Sequence, residues 1–147
     1  VYDDESAEAE RVADWIGKRI EDGASAGEIG IFVRSSAEIR RAEHAIEAAG
    51  LDARVLDDNS EPDKDHVTVS TMHLAKGLEF RFVVVMACDD EVIPSQKRIE
   101  DITDQSDLDE VYNTERHLLY VACTRARDGL LVCGIDPGSE FLDDLMV

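Results

Sequence analysis

The stretch Val67–Val85, VTVSTMHLAKGLEFRFVVV, leaves this chain few ways to fold. Two short runs of β-branched and aromatic residues flank a polar turn, a spacing that suits strands rather than a helix. The pattern predicts a strand over Val67–Ser70 and a second over Phe82–Met86. Between them lies a turn carrying Thr71, His73, Lys76, Gly77 and Glu79. Strands this continuously apolar belong in a parallel sheet covered on both faces. The turn would then open at the carboxyl end of a strand, where open α/β sheets bind ligands, and its Lys and Gly suit an anion.

The flanking sequence supplies the covering helices. Ala9, Val12, Ala13, Ile16 and Ile20 recur at helical spacing across Asp4–Asp22, which Gly23 ends. Glu28–Arg34 (EIGIFVR) has the composition of a buried strand, and Ser35–Ala49 that of a helix with Ser35 and Glu38 as a capping box. Ala53–Leu56 is expected to be a short strand, and Asp57–Asp65 a polar loop. Ala87–Ser106, with Pro94 and mixed charges, is expected to be an irregular surface segment. Asp107–Thr124 patterns as a second long helix with Asp107 and Glu110 at its cap. Leu130–Cys133 is expected to be a last buried strand reached through Arg127-Asp128-Gly129, and Phe141–Val147 a short amphipathic end.

Composition narrows the partners. A length of 147 residues suits one domain, and no apolar run approaches the roughly 18 residues that span a membrane. The acidic start VYDDESAEAE has no signal-peptide pattern, so a cytoplasmic location is expected. The net charge of −19 offers nucleic acid no long-range attraction from the surface as a whole, so any DNA contact must come from a local patch. Cys88, Cys123 and Cys133 form no metal-binding spacing and are expected to be small buried thiols.

Arg34, the Thr71–Glu79 turn and Arg125 all sit at expected strand or helix ends, so the sheet could gather them at one edge as a polyphosphate site. The complementary half of such a site has no counterpart here. There is no G-x-x-x-x-G-K-[ST] loop, and Asp89-Asp90-Glu91 is a weak magnesium holder in a chain this acidic.

TMHLAKGLEF (Thr71–Phe80) resembles motif V of the UvrD/Rep-type superfamily 1 helicases, and ERHLLYVACTRAR (Glu115–Arg127) resembles their motif VI. IGIFVRSSAEIRRAEHAIEAAG (Ile29–Gly50) resembles their motif IV strand and helix, and the three occur in family order. The resemblance implies that residues 1–147 form a single RecA-like domain, the second of the motor: α/β, three-layered, with a largely parallel sheet and no phosphate loop of its own. The family's large members carry an accessory insertion between motifs IV and V; here only Leu51–Asp65 intervenes, so that insertion is expected to be absent, as is the first RecA-like domain. ATP and Mg2+ would be held mainly by that first domain. Arg125 would be the arginine finger, Arg34 a second γ-phosphate contact, and Glu79 a ribose contact, with Gly77 allowing close backbone approach. Thr71 and His73 would face single-stranded DNA. His117 stands where many members carry Arg, which weakens any DNA or phosphate role there. The alternative from another class is a non-catalytic RecA-like module that binds protein or DNA.

Overall fold

A computed structural model describes residues 1–145. Its strands are β1 (Ile29–Val33), β2 (Ala53–Val55), β3 (Val67–Thr71), β4 (Phe80–Val85) and β5 (Ala126–Val132). They form one sheet in the order β2-β3-β1-β4-β5, and every neighbouring pair is parallel. The helices are α1 (Glu5–Glu21), α2 (Ile39–Ala48), α3 (Gln96–Glu100), α4 (Gln105–Cys123) and α5 (Leu142–Leu145). β1 is central and buried along its whole length, which is why its sequence carries no polar alternation.

Alternation along the strands divides the core in two. On one face Ile29, Ile31 and Val33 meet Val12 and Ile16 of α1 and Ala42 and Ile46 of α2. On the other, Phe32, Val83 and Val85 meet Leu119 and Ala122 of α4, with Met72 from the turn after β3. This is the expected three-layer RecA-like arrangement, with the sheet parallel throughout.

Several boundaries differ from expectation, each for a physical reason. The segment after β4 is not a surface stretch: Ala87, Cys88 and Ile93 are buried, and α3 forms within it. Asp104, not Asp107, caps α4, accepting a hydrogen bond from Ser106 N at 3.0 Å. α2 begins at Ile39 after a single 3-10 turn, because Ser35 bonds the Glu38 side chain rather than a backbone amide. Arg127-Asp128-Gly129 lies inside β5 rather than before it, an edge strand on which charged side chains find solvent. Of the expected amphipathic end, Leu142–Leu145 is helical, and residues 146–147 lie outside the described part.

A parallel sheet has two unlike edges, and they position everything below. Arg34 and the Thr71 turn follow β1 and β3 at the carboxyl edge, while Glu79 and Arg125 precede β4 and β5 at the amino edge.

Candidate functional site

At the amino edge, Arg125 is fixed from both sides. Its amide donates to Ala122 O at the end of α4, and its carbonyl accepts from Phe80 N, the first residue of β4, at 3.0 Å. Glu79 is therefore a sequence neighbour of the residue to which Arg125 is bonded. It is exposed and lies 3.5 Å from Arg127, the only ion pair it makes among the described residues. The Arg125 guanidinium has no carboxylate partner among the described residues; Nη2 donates to the Thr124 hydroxyl at 3.1 Å. Its Nε is buried and unbonded. Arg19 and Arg41 share that last property, but Arg19 stacks on Trp15 and Arg41 pairs with Glu8 and Asp89. Arg125 is left with no anion, in a chain with 34 acidic residues. Gly77 adopts φ 87°, a left-handed conformation that favours glycine, and nothing lies within 4 Å of where a Cβ would stand.

The carboxyl edge holds a different cluster. β1 and β3 pair with Val33 opposite Thr71, which brings Arg34 beside the Thr71–His73 turn. Arg34 is buried and donates from Nε and Nη2 to the two oxygens of Glu115, at 2.8 and 2.6 Å. Glu115 also accepts from Ser95 N at 2.7 Å and from Arg98 Nη1 at 2.8 Å. Burial pushes the Glu115 carboxyl upward, but the bonds from Arg34, Ser95 and Arg98 outweigh it and hold the pKa below the ordinary glutamate value. His73 is pushed down from its ordinary value, first by desolvation and then by the positive charge of Arg34. Two guanidiniums, the buried Arg34 and the half-exposed Arg98, thus share one carboxylate, while Arg41 is matched by two, Glu8 and Asp89.

The sheet thus does not gather Arg34 with Arg125. Eight residue levels separate them along the strands, on the order of 25 Å at about 3.3 Å per residue, and Arg34 turns onto Glu115 instead. The expectation of one converged edge fails because Arg125 precedes its strand while Arg34 follows its own. Thr71 and His73 fall with Arg34, and Gly77 and Glu79 with Arg125. Glu115 and Arg98 were not singled out from sequence. The signal for Glu115 was present: Val111, Glu115 and Leu119 are spaced by four, so a glutamate occupies the apolar stripe of α4. A cleft of about 610 Å³ at the outer edge of β5, beside Val1 and Leu145, holds none of these residues.

The family is decided by residues 56–135, just over half of the chain, which match the UvrD-like helicase C-terminal domain. The chain belongs to that family. The match takes in both the Thr71–Glu79 turn and α4 with Arg125. This UvrD-like chain is 37% identical over 82 residues to the ATP-dependent DNA helicase PcrA of Staphylococcus aureus (strain Mu50), covering 55% of the chain and 10% of that protein. It is 38% identical over 77 residues to the ATP-dependent DNA helicase Rep of Buchnera aphidicola subsp. Acyrthosiphon pisum, covering 52% of the chain and 11% of that protein. The chain therefore spans about a tenth of the length of these relatives. In fold it is similar to the crystal structure of the C-terminal domain of a possible DNA helicase from Lactobacillus plantarum WCFS1. There the TM-score is 0.69 at 22% identity, covering 96% of this chain and 74% of the other. Among the described residues no helix is long and apolar enough to cross a membrane.

Proposed function

We propose that this UvrD-like domain is the second motor domain of an ATP-dependent helicase that translocates on single-stranded DNA, and that its two edges divide the work. The amino edge faces a nucleotide gripped by a first RecA-like domain. Arg125 is the arginine finger, Glu79 meets the ribose, and the exposed turn at Gly77 leaves room for close approach. The observation that carries this is Arg125 itself: its main chain is tied to α4 and to β4, while its guanidinium bonds only the Thr124 hydroxyl and meets no carboxylate among the described residues. An anion supplied from outside would complete it. Its charge-assisted bonds would neutralise negative charge that develops on the transferred phosphoryl group.

The carboxyl edge faces DNA. Thr71 and His73 line the strand, and Arg34, which the sequence resemblance assigned to the γ-phosphate, belongs here by position. Mg2+ is assigned to the first domain. Among the described residues no three His, Cys, Asp or Glu side chains are grouped to hold a metal ion. Opening and closing of the two domains on each hydrolysis event would then move the DNA-facing edge.

The test uses the full-length protein. Arg125→Ala is expected to lower DNA-stimulated ATP hydrolysis by about 10³-fold or more while nucleotide affinity changes little. An unchanged kcat removes Arg125 from the nucleotide site and leaves the non-catalytic module as the better description.

A further inference from the structure

Resting on that functional reading, we infer that Glu115 is a positioning residue that links the DNA-facing edge to the state of Arg125. Glu115 is fully buried on α4 and accepts hydrogen bonds from two separate pieces of chain: the end of β1 through Arg34, and α3 through both the amide of its cap residue Ser95 and Arg98. α4 then runs on to Cys123 and hands the chain to Arg125. Eight residues of helix from Glu115 to Cys123, at 1.5 Å each, make a rod of roughly 12 Å, and Arg125 follows its Thr124 cap.

A well-packed apolar residue at position 115 would generally serve stability as well as a buried ion cluster does. A carboxylate there does something an apolar residue cannot: it sets the direction of two guanidiniums. When a phosphate engages Arg125, α4 is fixed against the first domain. Glu115 then holds Arg34 and Arg98 in register with the Thr71–His73 turn. When Arg125 is released, the rod and both guanidiniums shift together. Such a link is reciprocal, so nucleotide and DNA must change each other's affinity by one shared factor.

The experiment measures that factor in the full-length protein. A fluorescein-labelled oligothymidylate is titrated with and without the magnesium complex of a non-hydrolysable ATP analogue, and the two Kd values are divided. The wild-type factor is expected to be at least about fivefold. Glu115→Gln, verified as folded by its melting curve, should bring the factor to within about twofold of one. A merely structural glutamate would leave the factor at its wild-type value. Arg98→Gln removes one arm of the cluster from a half-exposed position and serves if Glu115→Gln does not fold; the factor should drop at least threefold. A wild-type factor in either folded variant overturns the link. If Arg125→Ala has meanwhile abolished hydrolysis, the functional reading survives that failure. A wild-type factor of one overturns the link alone, whereas Arg125→Ala leaving hydrolysis intact removes the functional reading and the link with it.

Discussion

Two glutamates, Glu8 and Glu115, stand on apolar helix stripes with no exposed surface, and each is held by an arginine from another element. Truncating Glu115 to Ala strands the buried Arg34 guanidinium and is expected to cost about 3–5 kcal/mol, measured by denaturant unfolding. The pH dependence has a definite sign. The folded-state pKa of Glu115 lies below its unfolded value, so its contribution is complete above about pH 4.3 and is lost as pH falls through the lower folded value. The difference in melting temperature between wild type and Glu115→Gln should therefore shrink as pH falls below that range. A difference constant down to the acid limit would mean that Glu115 is not ionised in the folded state. At this scale sequence was a partial guide. Thr71, Gly77 and Glu79 stand out because a polar stretch with a glycine interrupts two apolar runs. That Arg34 would choose Glu115, 81 positions away, is a tertiary fact that no local pattern carries.

At the scale of elements, α4 is the piece that spans both edges, and its ends decide where its side chains fall. Asp104→Ala is expected to cost about 1 kcal/mol, because the Ser106 amide loses its acceptor. Asp107→Ala should stay within about 0.5 kcal/mol, as an ordinary surface substitution does; equal losses at both positions would move the cap. Sequence could not choose between these aspartates, since Asp101, Asp104 and Asp107 recur every three residues and each can open a helix. The strands were more legible, their apolar runs being forced by burial on both faces. β5 was the exception. Its first half is charged because it is an edge strand, and Gly129 is required there because a Cβ would stand 2.9 Å from the Phe82 ring. Gly77→Ala tests the turn after β3. With φ at 87° the change is expected to cost about 1–2 kcal/mol while leaving the surroundings unclashed, which the shift in unfolding midpoint would report.

For the whole molecule, a net charge of −19 makes the distribution of unpaired positive charge the informative quantity. Most arginines are neutralised locally, as Arg81 is by Glu28 and Asp128. Arg125 at the amino edge has no carboxylate among the described residues, and at the carboxyl edge Arg34 and Arg98 share the single carboxylate of Glu115. Parallel topology keeps them apart, and α4 joins them. The fold class was legible because α-β alternation with buried strands admits few layerings. The division of the site between two edges was not, because sequence order does not show whether a residue enters a strand or leaves it until the boundaries are known to within a residue. The most direct test of that division compares Arg125→Ala with Arg34→Lys in the full-length protein, measuring ATP turnover at saturating single-stranded DNA and DNA affinity separately. Arg125→Ala should lose turnover and keep DNA affinity, while Arg34→Lys should lose DNA affinity and recover turnover at saturation. Loss of turnover at saturating DNA in both folded variants would place the two arginines on one phosphate and contradict the separation of the edges.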